Sequence, residues 1–191
     1  MDKIIFFENE PDDMTRCRGQ AYRNFLDYAF EKTDYFMMVY VNWYGKGYTT
    51  FQKTVKKQLD PYKIKSRSNP YWPGTPGTWS KGTTYKIVFY MNETEAKKIL
   101  LCVNGMNEWT ANNGPQDMAF FKGNQCWFYS VGHEAIAAIL HATEEDLDFV
   151  EANGLADRNS VKNYDIWYDH CNEDLEKCGE KYRERMKRKK K

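Results

Sequence analysis

The side chains with the clearest potential for chemistry are His133 and Glu134, which are adjacent in the sequence. In zinc hydrolases a His-Glu pair opens a motif in which a second histidine, one helical turn on, completes the metal site and the glutamate activates water. Ala137 occupies that position here, and His141 lies about 12 Å from His133 along a helix. The sequence therefore does not predict a zinc site. It favours a helix cap, or a hydrogen bond to the preceding hairpin, for His133 and Glu134.

Ser130 occupies the position of a nucleophile, because it follows a predicted strand and precedes a predicted helix. The strained turn that exposes such a serine requires glycine two residues earlier, since the backbones approach too closely for a side chain. Phe128 stands there instead. We therefore predict that Ser130 caps the helix that follows it.

A glycine-rich turn containing Lys81, Gly82 and Thr83 has the residue types of a phosphate-binding loop. That loop requires the order Gly-Lys-Thr or Gly-Lys-Ser at the start of a helix, so that backbone amides converge on the phosphates. Here the order is reversed and a strand is predicted to follow. We reject a phosphate loop, although Lys81 beside such a turn could still meet an anion.

Metal-ligand side chains also occur near the C-terminus, where His170 and Cys171 precede Glu173, Asp174 and Cys178. Their spacing is not that of a metal clip, and ion pairs on a helix surface account for the charges. The five cysteines are odd in number and scattered, unlike a disulfide framework. We predict reduced thiols, no resident metal and no cofactor.

The remaining candidate is a basic and aromatic segment, residues 44–86. It combines a cationic field with rings that can stack on bases, as in single-strand and nucleotide binders. The same composition suits a solvated helix face whose neighbouring rings cover a sheet, and no Arg-Gly-aromatic motif decides between the two. The candidate ligand-binding residues are Lys46, Tyr48, Lys53, Lys56, Lys57, Lys63, Lys65, Arg67, Tyr71, Trp72, Trp79 and Lys81.

Charge is segregated along the chain although the net charge is only +1. Residues 37–90 carry 9 basic residues and 1 acidic residue, whereas residues 91–180 carry 6 basic and 17 acidic residues. The last eleven residues carry 8 basic residues and 1 acidic residue. Such a tail is typical of a solvated helix end or of an arm that attracts phosphates, and both interpretations stay open.

The elements that must position these residues suggest one α+β domain. We predict a mixed, largely antiparallel sheet of about five strands, at residues 3–7, 35–44, 83–91, 118–121 and 125–129. Residues 35–44 are apolar almost throughout, so we place them in a central strand. The loop at residues 122–124 has the turn chemistry of a tight hairpin.

Helices are predicted over residues 12–33 and 48–60, and over about 96–103 after a capping box at residues 92–95. The pattern at residues 132–140 is also helical, and Thr143 starts a further helix that ends at Asn153 and Gly154. Residues 66–82 hold three prolines and three glycines and are predicted to form a loop.

We predict that residues 1–159 form a single α+β domain. Residues 160–191 form a C-terminal helix with a basic tail that packs on the same domain, giving a helical C-terminal third. The chain has no apolar run of membrane-spanning length, and its first residues lack a secretory signal pattern. We therefore expect a cytoplasmic protein that does not enter a membrane.

Three functional hypotheses follow. The first is a non-enzymatic binding protein whose basic, aromatic middle segment holds an anionic partner, either a nucleic acid or a nucleotide. The second is a protein-binding inhibitor or immunity-type module that acts by charge-complementary contact with a partner protein. The third is a hydrolase that uses His133 with Glu134, or Ser130, and it lacks the remaining residues of either motif.

Overall fold

Eight strands form one sheet in this computed structural model, which describes residues 2–7, 16–42, 47–77, 82–110, 114–157, 161–164 and 173–189. Their order is β3-β4-β2-β5-β6-β7-β1-β8, and every pair of neighbours is antiparallel. The strands are β1 Asp2–Phe6, β2 Tyr35–Tyr40, β3 Lys63–Asn69, β4 Tyr85–Met91, β5 Gln116–Lys122, β6 Gln125–Val131, β7 Ile136–Ile139 and β8 Val161–Tyr164.

Five α-helices accompany the sheet within the described residues, so the α+β class is confirmed. They are α1 Gln20–Lys32, α2 Thr50–Leu59, α3 Thr94–Leu100, α4 Glu144–Ala152 and α5 Leu175–Lys189. Short 3-10 turns occupy Asp60–Tyr62, Met106–Glu108 and Gly132–Glu134. The predicted start of α1 near residue 12 falls in residues 8–15, outside the described part of the chain.

Helices cover both faces of the sheet. Alternate strand residues such as Phe36, Tyr90 and Phe120 pack with the buried stripes of α1 to α4 on one face, the four-helix face. The intervening strand residues pack on the other face with Trp72 and with Leu175 of α5. Because both faces are covered, all six residues of β2 are buried, as the apolar run at residues 35–44 predicts.

The sheet is wider than predicted, because β3, β7 and β8 are strands that the sequence patterns do not indicate. β3 lies at the edge of the sheet and pairs only with β4. Its residues are mostly polar and half-exposed, so the apolar alternation of a typical strand is missing. The predicted loop over residues 66–82 is therefore wrong for residues 66–69, which belong to β3.

β7 replaces the helix predicted over residues 132–140. Its residues Ile136 to Ile139 pair with β6 on one side, and Ile139 also pairs with Ile5 of β1. The apolar spacing that suggested a helix instead reflects burial on both faces of the sheet. A short apolar run has the same appearance in a buried strand and in a buried helix, so periodicity alone cannot separate them.

The predicted helical C-terminal third is only partly present. Residues 161–164 form β8, which pairs with β1, and α5 begins at Leu175. Residues 165–172, which the predicted helix also included, lie outside the described residues. Because β8 has a single neighbour in the sheet, its pairing with β1 over a long sequence separation decides its conformation.

Two capping predictions have opposite outcomes. At α4, Thr143 and Asp146 form the reciprocal capping box, which satisfies two free backbone N–H groups. At α3 the N-cap is Glu93, and no side chain caps the helix. The predicted hairpin is confirmed, since β5 ends at Lys122 and β6 begins at Gln125.

Candidate anion-binding cleft

The predicted ligand-binding residues divide into three groups in the structure. Lys46, Trp79 and Lys81 lie outside the described residues. A second group is engaged in contacts with other residues of the protein, and it contains Lys63, Lys65, Arg67, Tyr71 and Trp72. The third group lines one cleft beside α2, and its members are Tyr48, Lys53, Lys56 and Lys57.

The cations of β3 are paired within the protein. Lys65 and Arg67 both form ion pairs with Glu173, just before α5, whose side chain is only 10% exposed. The hydrogen bond from Lys65 to this carboxylate raises the pKa of the lysine. These contacts tie the edge strand to the start of α5, so the two cations are not available to a ligand in this arrangement.

Two predicted aromatic residues also have structural roles. Trp72 is buried, and its Nε1 donates a hydrogen bond to Asp117 Oδ2 at 2.9 Å. Tyr71 is half-buried, and the guanidinium of Arg67 lies 5.8 Å from the centroid of its ring. The predicted stacking role of Trp72 is incompatible with this burial, because no face of its indole is exposed.

The lysine cleft, lined by Tyr48, Lys53, Lys56, Lys57 and Asp60, has a volume of about 380 Å³. Its three lysines occupy positions i, i+3 and i+4 of α2, which places them on the same face of the helix. They span about 6 Å along the helix axis. Asp60 is the single carboxylate among the described residues that line the cleft.

Local sequence explains why the lysines face solvent. The hydroxyl of Thr49 accepts a hydrogen bond from the backbone N–H of Gln52 and so caps the start of α2. Val55 and Leu59 are buried in the core, and Gln52 Nε2 donates to the carbonyl of Gly114 at 3.0 Å. These contacts fix the rotation of the helix, because the apolar stripe faces the sheet and leaves the lysine stripe outside.

Tyr48 forms a wall of the cleft. Its half-buried ring packs edge-on against Tyr40 of β2, with the centroids 6.0 Å apart. Burial raises the pKa of the Tyr48 hydroxyl, so the group stays protonated and can donate a hydrogen bond at neutral pH. The cleft therefore has an aromatic wall and a neutral hydrogen-bond donor in addition to the lysines of α2.

Asp60 is a cleft residue that the sequence analysis did not identify. It directly follows α2, and its Oδ1 accepts a hydrogen bond from Lys63 Nζ at 2.5 Å. That bond lowers the pKa of the Asp60 carboxyl. The signal that could have revealed it is compositional, because Asp60 is the one acidic residue in residues 37–90.

A second polar cluster lies beneath the 3-10 turn Gly132–Glu134. Asp117 is buried, and its carboxylate accepts hydrogen bonds from Trp72 Nε1 and from the backbone N–H of Gly132, both at 2.9 Å. Gln116 Nε2 donates a third, at 3.2 Å. Burial raises the pKa of Asp117 to about 6, which the first two hydrogen bonds and His133 partly oppose. The sequence analysis did not single out this residue.

The residues of the hydrolase hypothesis lie near this cluster without forming a recognised catalytic arrangement. Ser130 is buried inside β6 and donates to the carbonyl of Met118 at 3.1 Å, so its predicted role as a helix cap is wrong. His133 and Glu134 are exposed, with Nε2 and Oε1 3.6 Å apart. Within the described residues, no group of three or more His, Cys, Asp or Glu side chains could hold a metal ion.

The comparisons with known proteins supply no relative: no family model, no curated protein and no solved structure matches this chain. None of the helices in the described ranges has the length and apolar character needed to cross a membrane. The chemistry of the cleft is therefore the basis for a functional proposal.

Proposed function

We propose that this chain is a non-enzymatic binding protein whose lysine cleft holds a phosphate-bearing partner, either a nucleotide or a nucleic acid. The observation that carries the proposal is the convergence of Lys53, Lys56 and Lys57 with the ring of Tyr48 on one cleft. Each lysine can donate to phosphate oxygens, and the ring can stack on a base. A ligand that contains both a phosphate and a base can therefore contact the lysines through its phosphate and the Tyr48 ring through its base.

The ion pairs of the other cations support the lysine cleft as the binding surface. Lys63, Lys65 and Arg67 already form ion pairs with Asp60 or Glu173. By contrast, Lys53 and Lys57 are exposed on α2, and Asp60, the carboxylate that lines the same cleft, is already paired with Lys63. A helix that presents one sign of charge beside an open cleft attracts a ligand of the opposite sign.

The test is equilibrium binding of a fluorescent ATP derivative and of a fluorescein-labelled 12-nucleotide single strand to the wild type and to Lys53→Ala/Lys56→Ala/Lys57→Ala. Exposed charge contacts are worth about 0.5 kcal/mol each, so losing three should weaken binding roughly tenfold. For the 12-nucleotide strand, the slope of the logarithm of the association constant against the logarithm of the salt concentration should also decrease in magnitude by roughly 2.

A matched control removes the same charge elsewhere. Lys122, Lys177 and Lys181 are exposed and lie outside the cleft, the last two on α5 at the opposite face of the sheet. Changing these three to Ala should alter binding less than twofold. Equal weakening by both triple variants would show that net charge, and not the lysine cleft, attracts the ligand, and the proposal would be wrong.

A further inference from the structure

We propose that the ligand of the lysine cleft is a single nucleoside phosphate and that Asp60 accepts a hydrogen bond from its ribose or base. This inference rests on the proposed function, because it assigns the chemical class of ligand to the same site. It starts from the presence of one carboxylate in a cleft otherwise lined by three lysines and a tyrosine.

The carboxylate of Asp60 restricts what the cleft can hold. Its hydrogen bond with Lys63 keeps it ionised at neutral pH, so it repels any phosphate placed beside it. An ionised carboxylate only accepts hydrogen bonds, and it therefore favours hydroxyl or amino groups. A ligand that satisfies the whole cleft carries phosphates at one end and neutral donors at the other, as a nucleoside phosphate does.

The positions of the lining residues agree with a ligand that has phosphates at one end and neutral donors at the other. Tyr48 and Asp60 both lie near Tyr40: the ring of Tyr48 contacts that of Tyr40, and the negative charge of Asp60 adds to the effect of burial in raising the Tyr40 pKa. Lys53, Lys56 and Lys57 extend along α2, with Lys53 the farthest from Asp60 along the helix and Lys56 close enough to help lower the pKa of the Asp60 carboxyl. A base stacked on Tyr48, with its own donors or those of the ribose near Asp60, directs the phosphates along the lysine stripe towards Lys53.

The size of the charged surface favours a small ligand over a polymer. The volume of about 380 Å³ is at the lower end of the range of small-molecule pockets. The next groove, between α2 and α3, is lined in part by Glu95, which is paired with Lys98, and by the neutral side chains of Gln58 and Ile99. The unpaired cationic surface therefore does not continue from the cleft into this groove.

The experiment compares calorimetric binding of the four ribonucleoside triphosphates with that of inorganic tripolyphosphate. In Asp60→Asn, the triphosphate that binds the wild type most tightly should bind about tenfold more weakly, because a charged acceptor becomes a weaker neutral one. Tripolyphosphate should bind severalfold more tightly, because a repulsive charge is removed. A purely structural role of Asp60 would change both affinities in the same direction.

Lys63→Gln is the matched control, because it removes the ion pair of Asp60 and leaves the carboxylate in place. It should weaken the binding of both ligands by less than threefold.

If Asp60→Asn changed the affinities for the triphosphate and for tripolyphosphate in the same direction, or if no triphosphate bound at all, the inference would be overturned. If only the 12-nucleotide strand bound, and the triple lysine variant weakened it, the proposed function would stand and the mononucleotide inference would fail. If the triple lysine variant bound its ligands as tightly as the wild type, both the proposed function and the mononucleotide inference would be overturned.

Discussion

At the scale of single residues, Asp117 is the least expected feature of the molecule. It has a positive φ of 53° although it is not glycine, and it lies where the pairing of β2 with β5 shifts in register. Its hydrogen bonds connect two segments, since Trp72 belongs to the β3–β4 connection and Gly132 to the turn after β6. One buried carboxylate thus anchors both connections, and its burial makes the ionised form unfavourable.

The raised pKa of Asp117 predicts a pH dependence of stability. Its ordinary value is 3.8 and its value in the folded protein is about 6, so the folded state binds more protons between these values. The contribution of Asp117 to stability is therefore complete below about pH 4 and decreases as the pH rises through 6. The shift corresponds to on the order of 2 kcal/mol between pH 4 and pH 8.

Urea unfolding of the wild type and of Asp117→Asn from pH 4 to pH 8 measures this effect. The amide does not titrate, so its new contacts change stability by a constant amount at every pH. The free energy of unfolding of the wild type, relative to the variant, should fall as the pH rises. His133 and Glu134, whose charges act on Asp117, remain in both proteins. A difference that did not vary with pH would contradict the prediction.

At the scale of elements, the approach of α5 to the sheet depends on Gly179. A Cβ at this position would lie 2.5 Å from Tyr35 Oη and 2.7 Å from Tyr35 Cε1. Leu175 and Tyr182, on the same helix, are buried against this face of the sheet. Glycine within a helix costs about 1 kcal/mol relative to alanine, and here it permits close contact between the helix and β2.

We expect Gly179→Ala to destabilise the protein by about 1–2 kcal/mol, despite the better helix propensity of alanine. The added methyl group overpacks against Tyr35, whose ring is buried and cannot move aside without disturbing its neighbours. Urea unfolding measures the effect, and Lys181→Ala, at an exposed position of the same helix, is the control and should change stability by less than about 0.5 kcal/mol. An unchanged or more stable Gly179→Ala would show that α5 can move away from the sheet.

At the scale of the whole molecule, charge is divided across the four-helix face of the sheet. The lysine cleft lies beside β2, because Tyr48 packs on Tyr40. The acidic α4 lies over β1, because Glu144 pairs with Lys3. Four strand intervals separate β2 from β1 in the sheet, which is about 19 Å at the usual spacing. This distance exceeds the Debye length of about 8 Å at physiological salt.

Charge reversal on α4 should therefore affect ligand binding only at low salt. The variant Glu145→Lys/Glu151→Lys changes the net charge by +4 and leaves the cleft intact. At about 10 mM salt, where the Debye length is about 30 Å, association of the 12-nucleotide strand should accelerate severalfold. At 150 mM salt the rate, measured by stopped-flow fluorescence, should match the wild type. A large effect at 150 mM would show that α4 itself contacts the strand, and that the binding surface is not confined to the lysine cleft.

Several elements were predictable because their signal is local. β2, β4 and the β5–β6 hairpin consist of apolar or β-branched runs with turn residues between them, and α4 has its own capping box. β3 and β8 have no such signal, because edge strands are stabilised by pairing with a neighbour distant in sequence. The lysine stripe of α2 was equally visible from its spacing. Asp60, three residues after Lys57, was missed because a single carboxylate has no periodic pattern to reveal it.

By itself, the sequence determined the α+β class, the buried strand β2, the lysine face of α2 and the segregation of charge. These follow from composition and periodicity, which act over a few residues at a time. Only the tertiary structure decided which cations are free to meet a ligand. Glu173 lies more than one hundred residues from Lys65 and Arg67, yet it pairs with both and removes them from the candidate site. The lining of the cleft itself is local, because Tyr48, the three lysines and Asp60 all lie within residues 48–60. Tertiary packing contributes the burial of Val55 and Leu59, which turns the lysine stripe towards solvent.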